Sequence, residues 1–157
     1  MTKPTHQRSV THGSFRIERV YENATPARVF AAFATLDVKN RWFHGPDGWE
    51  HESKMDFRVG GHEVRASGPK GGTKHRFAST FYDIVENERM IYAYEMHFDD
   101  VRISVSLATI ELAPAGANGT KLTMTESGAF LDGYDTPGSR ERGTIGLLDL
   151  LGAFLAS

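Results

Sequence analysis

Over residues 14–22 the chain alternates Phe15, Ile17 and Tyr21 with polar neighbours, the two-residue rhythm of a half-buried strand. That rhythm stops at Asn23-Ala24-Thr25-Pro26. Thr25 is a good N-cap and Pro26 suits the first helical position, so a short helix is expected, with Val29, Phe30 and Phe33 on its inner face. A second helical piece is expected over residues 37–42, closed by Trp42-Phe43 and followed by a loop rich in helix breakers, His44-Gly45-Pro46-Asp47-Gly48. Strand and turn patterns then take over. Strands are expected at 49–57, 62–67, 75–85, 90–98, 101–112 and 120–127, with residues 128–135 as a loop leading into a last helix over 136–155. Turns of two to six residues imply an antiparallel meander. The fold class expected is α+β, ordered β-αα-β6-α, with one curved antiparallel sheet wrapped around the long C-terminal helix so that both apolar faces are buried.

The last helix is unusual in its pattern. With successive residues about 100° apart, Leu147, Leu148, Leu150, Leu151, Phe154 and Leu155 form one broad apolar side, opposite Arg142 and Asp149. Extended towards the N-terminus, that side carries Arg140, Gly143 and Thr144 instead. Glycine costs roughly 1 kcal/mol against alanine inside a helix, yet Gly143, Gly146 and Gly152 all fall here. Either another part of the chain packs closely on the glycines, or they border a space between helix and sheet.

Which strand residues share that space follows from parity. Leu122, Met124 and Glu126 lie on one face of the last strand, so Glu126 points inward. Tyr92, Tyr94 and Met96 form a candidate pocket wall. Arg102 and Ser104 share parity with the apolar residues Ile110 and Leu112, and face the helix unless a bulge intervenes; a bulge near Leu107 would turn them to solvent. Phe130, with Asp132 and Tyr134, is placed at the lip. The candidate ligand-binding set is therefore Tyr92, Tyr94, Met96, Arg102 and Ser104 from the middle strands, Glu126 and Phe130, and Arg140, Gly143 and Thr144 from the helix. A buried carboxylate needs a partner, and Arg140 or Arg102 is the natural one for Glu126. The pair is either a structural salt bridge or part of a polar-ended pocket for an anionic or hydroxylated small molecule. Glu126 is the one candidate acid or base.

Composition narrows the function. At 157 residues with 39% apolar content, a single domain over 13–157 is the simplest reading, with residues 1–12 as a flexible tail. A net charge of −2 gives no basic surplus for nucleic acid. The absence of cysteine fits a reducing cytoplasm, and no stretch reads as a signal peptide or membrane span. The seven histidines form no His-x-His or His-x-x-x-His pair, so neither a metal nor a cofactor is expected. The Gly68-to-Lys74 stretch lacks the order of a phosphate-binding loop and reads as a hairpin. A homodimer is left open.

Several short motifs occur together: Thr25-Pro26 to Val29-Phe30, Trp42-Phe43, Phe57-Arg58-Val59-Gly60-Gly61, Tyr82-Asp83-Ile84-Val85, Arg89-Met90-Ile91-Tyr92, Thr109-Ile110-Glu111-Leu112 and Gly119-Thr120-Lys121-Leu122-Thr123. In this order, before a Leu-rich C-terminal helix, they resemble the START/Bet v 1-like (SRPBCC) superfamily, in the branch related to the C-terminal domain of the activator of Hsp90 ATPase. The resemblance implies a helix-grip fold with a cavity between sheet and C-terminal helix. It does not choose among carriers, receptors, cyclases and co-chaperones. The function expected is binding of a small hydrophobic or amphipathic molecule. The alternatives are an enzyme of polyketide-cyclase or hydrolase type using Glu126, and a protein that touches Hsp90.

Overall fold

A computed structural model describes residues 7–157. The elements run β1 (Val10–Tyr21), α1 (Pro26–Ala34), α2 (Leu36–Lys39), β2 (Glu50–Met55), β3 (His62–Gly68), β4 (His75–Val85), β5 (Arg89–Phe98), β6 (Val101–Ala115), β7 (Gly119–Leu131) and α3 (Pro137–Ala156). The strands form one antiparallel, curved, seven-stranded sheet in the order β1-β7-β6-β5-β4-β3-β2. The fold is the α+β helix grip, with the sheet curled around α3.

Both long helices start as the sequence implies. Thr25 Oγ1 accepts from the Arg28 amide at 3.3 Å, and Thr136 Oγ1 accepts from the Ser139 amide at 3.1 Å. A proline stands in the first turn of each. Each cap satisfies one amide that the helix itself leaves without a partner. Val29, Phe30 and Phe33 of α1 are buried with Trp42, whose indole N–H donates to the Ala32 carbonyl at 3.0 Å. Leu148, Leu151 and Leu155 of α3 complete the core. The Tyr21 hydroxyl donates to the Leu148 carbonyl at 2.9 Å, and Arg28 donates to the Leu155 carbonyl at 2.7 Å, so β1 and α1 both fasten α3.

Among the departures from the sequence reading, α2 ends at Lys39, short of the expected Trp42, and three others concern α3, β1 and β7. Leu150, placed on the apolar side, is 38% exposed. Strand β1 begins at Val10, inside the stretch expected to be a tail, and β7 runs on to Leu131, through residues expected to be loop. The last two share one cause: Val10 pairs with Leu131, Thr11 with Phe130, His12 with Ala129 and Gly13 with Gly128. Neither segment alternates on its own; each is a strand because the other is there. The rest of the expected tail, residues 1–6, lies outside the described residues.

Candidate functional site

Inward-facing positions of adjacent strands line up across the sheet. Tyr94 on β5 pairs with Ser106 on β6, which pairs with Gly128 on β7, which pairs with Gly13 on β1. The row shrinks from an aromatic ring to no side chain. A Cβ at Gly13 would collide with the Pro137 ring, and one at Gly128 would stand 2.5 Å from Ser106 Oγ. The small residues let the start of α3 settle onto the sheet, which brings Arg140 down beside Tyr94.

Arg140 is then held on all sides. Nη1 donates to the Tyr94 hydroxyl at 3.0 Å, while Nη2 donates to Ser104 Oγ at 2.8 Å and pairs with Asp135 Oδ2 at 3.2 Å. Its guanidinium carbon lies 5.1 Å from the Phe130 ring centre and 5.6 Å from that of Tyr94, within cation–π range. Tyr94 passes the contact on, donating to Glu126 Oε2 at 2.7 Å. Glu126 itself is only 2% exposed, and its other oxygen, Oε1, has no hydrogen-bond partner among the described residues. Burial pushes the Glu126 carboxyl up from its ordinary value, against the opposing pull of the Tyr94 bond and Arg140. Tyr94 is raised as well, by burial first and then by the neighbouring carboxyl.

Next to this chain lies a cavity of about 380 Å³ between α3, the sheet and the segment after α2. Tyr92, Tyr94 and Met96 wall it from β5, Glu126 from β7, and Arg140, Gly143 and Thr144 from α3. Outside its own stretch of helix, a Cβ added at Gly143 would meet no atom of the described residues within 4 Å. The cavity thus combines an apolar, aromatic wall with one carboxyl residue, Glu126, whose Oε1 is buried and unpartnered among the described residues.

A family model described as Activator of Hsp90 ATPase homolog 1-like protein matches residues 23–156. The chain belongs to this family. Among solved structures it is similar to the Mll3558 protein from Rhizobium loti, at 46% identity and a TM-score of 0.85, covering 93% of this chain and 99% of that one. A protein from Rhizobium leguminosarum is 40% identical with a TM-score of 0.88, over 96% and 98% of the two chains. The CV1439 protein from Chromobacterium violaceum is 28% identical with a TM-score of 0.77, over 92% and 97%. Comparison with curated proteins returns no match.

In this member of the Hsp90-activator-like family, several of the expected site residues stand elsewhere. Arg102 does not face the cavity: it is exposed and pairs with Glu95 at 3.0 Å. The reason is a bulge, not near Leu107 but at Ile103, which has no partner on β5: Met96 pairs with Ser104, and His97 with Arg102. Ile103 and Ser104 are both buried, and Arg102 beyond the bulge turns outward. Ser104 therefore keeps its inward direction, but it serves by holding Arg140. Phe130 is no lip: it is 3% exposed, inside β7, beneath the Arg140 guanidinium. The direct Glu126–Arg140 pair is replaced by Tyr94 standing between them, and the carboxylate that pairs with Arg140 is Asp135.

Other lining residues were not singled out from the sequence. Phe43, His44, His75 and Phe77 border the cavity, and Phe43 comes with a buried ion cluster. Lys39 Nζ meets Glu63 Oε1 at 2.7 Å, and Arg65 Nη1 meets Glu63 Oε2 at 3.1 Å. Arg65 also donates to the Phe43 carbonyl at 2.9 Å, and both cations lie within 5 Å of the Phe43 ring centre, at 4.6 and 4.9 Å. Burial pulls the Lys39 ammonium down from its ordinary range, with Glu63 opposing. The cluster ties α2 to β3 and fixes Phe43 at the cavity wall. Parity gave no signal for Glu63 and Arg65: with Val64 and Ala66 on the opposite face it turns the charges outward, whereas in the structure Glu63 is buried and Val64 is 45% exposed. Among the described residues no group of three His, Asp or Glu side chains is set to hold a metal ion.

Proposed function

We propose that the chain binds a small hydrophobic or amphipathic molecule in the cavity between α3 and the sheet. One observation supports this above the others: α3 gives up helix propensity at Gly143, and the place a side chain would fill there is open space on the cavity wall. A volume of about 380 Å³ lies in the range of small-molecule sites. The fold agrees, since SRPBCC proteins commonly hold hydrophobic ligands. A thermal-shift screen with lipids, aromatics and polyketide-like compounds tests the reading. At least one class is expected to raise the melting temperature of the protein, and Gly143→Phe, which adds a ring at the cavity wall, is expected to fold and lose the shift. A flat response to the whole panel removes the proposal.

A second reading has its own observation. Glu126 is a buried carboxyl on the cavity wall, raised above its ordinary value and with one free oxygen, which suits a general acid. It requires turnover of a bound substrate that Glu126→Gln abolishes while leaving binding intact. Binding with no turnover leaves the first reading alone.

A further inference from the structure

We infer that the cavity selects a neutral ligand carrying a hydroxyl group, which bonds to Glu126 Oε1. This rests on the small-molecule reading above and specifies the chemistry at its polar end.

Three ligand chemistries could be addressed by a cavity bordered by an arginine and a glutamate: an anion, a cation or a neutral hydroxyl. The anion would need Arg140. Its guanidinium already donates to Tyr94 and Ser104 and is neutralised by Asp135 at 3.2 Å, between two aromatic rings. No unanswered charge is left there to attract a carboxylate or phosphate. A cation would need an ionised Glu126. It would also have to stand near Arg140, which lies one hydroxyl away through Tyr94 at 3.0 and 2.7 Å. A neutral hydroxyl meets neither obstacle. It can donate to a carboxylate oxygen or accept from a carboxylic acid, so it suits Glu126 in either state.

What draws it there is the unmet partner. Oε1 is one of two buried side-chain polar atoms left without a hydrogen bond among the described residues, and its residue lines the cavity. Native structures rarely leave such an atom bare. The surrounding wall of Phe77, Met96 and Met124 takes the apolar body of the ligand and offers its hydroxyl no partner. Specificity follows from that asymmetry: an analogue without the hydroxyl leaves Oε1 unpaired in an apolar surround.

The test uses matched probes on three apolar scaffolds, naphthalene, biphenyl and decyl, each carrying a hydroxyl, a methyl ether, a carboxylate or an aminomethyl group. Binding to the full chain is read by calorimetry and thermal shift. On any scaffold that binds, the hydroxyl probe is expected to exceed its methyl ether, carboxylate and ammonium counterparts by about tenfold, the factor that one hydrogen bond to a buried polar group makes. In Glu126→Met the hydroxyl and ether probes are expected to converge; if that variant fails to fold, the comparison within the wild-type protein still decides. Equal affinity of hydroxyl and ether, or tighter binding of carboxylate or ammonium, overturns this inference and leaves the cavity reading standing. No binding by any probe on any scaffold overturns both.

Discussion

Glu126 shows what a single residue contributes. Its inward direction was legible from parity with Leu122 and Met124, both of which are buried. Its partner was not legible. Strand parity says which face a side chain takes, but not which helix residue stands opposite, and Arg140 stops at Tyr94 and Asp135. Arg102 was misplaced for a related reason: a single unpaired residue, Ile103, reverses every parity argument beyond it. The raised carboxyl of Glu126 has a consequence for stability. The folded state holds the proton more tightly than the unfolded chain, whose value is near 4.5. Above that value the native state binds more protons, so this group's contribution to stability falls as pH rises through the interval up to its raised folded value. Glu126→Gln removes that dependence. Chemical unfolding from pH 4 to pH 8 is expected to show the variant gaining on the wild type as pH rises, with the gap closing near pH 4. A gap that widens towards acid contradicts the raised carboxyl.

At the scale of elements, α3 answers the question its glycines posed in two ways. Gly152 is a close approach: an added Cβ would stand 3.2 Å from the Tyr21 ring. Gly143 borders open space. The sequence showed three glycines but not the shape of what faces each, because that shape belongs to β1 and to the segment after α2. Alanine scanning separates them. Gly143→Ala is expected to stabilise by about 0.5–1 kcal/mol, through helix propensity and a less flexible unfolded chain. On β7, Gly128→Ala meets Ser106 Oγ at 2.5 Å and the Val105 carbonyl at 3.1 Å, and is expected to destabilise by about 1–3 kcal/mol. Urea midpoints measure both. The α2–β3 cluster is a third element-scale device. Glu63→Gln leaves Lys39 and Arg65 as buried cations without their shared counter-charge, and is expected to cost about 3–5 kcal/mol. Lys39→Met leaves the Glu63–Arg65 pair intact and is expected to cost less, so equal losses in urea unfolding would show that Glu63 is not the hub.

For the molecule as a whole, the order of strands and helices and the wrapping of sheet around α3 were legible, since alternation, caps and short turns each pointed the same way. The two ends were not, because β1 and β7 create one another. That pairing reaches the candidate site. Beyond the paired residues, Ser9 donates its amide to Asp132 Oδ1 at 3.0 Å, the Asp132 amide donates to the Ser9 carbonyl at 2.8 Å, and Arg8 pairs with Asp132 at 2.9 Å. Asp132 needs this support, for it turns the chain with φ at 58°, a region most residues avoid. Three residues later Asp135 neutralises Arg140, which orients Tyr94 on Glu126. The start of the chain thus holds, through one turn, the ion pair that sets the polar end of the cavity. Removing residues 1–12 deletes this clamp together with the pairing of Val10–His12 against residues 129–131. The expected cost is about 1–3 kcal/mol, the scale of a few net backbone hydrogen bonds. It should be accompanied by faster amide exchange at Asp132 and through the start of α3, with β3 and β4 unchanged. A second truncation, of residues 1–6 alone, keeps Arg8, Ser9 and the clamp and serves as the reference. Identical exchange in the longer truncation would mean that the turn stands without β1, and that the coupling from chain start to Arg140 does not exist.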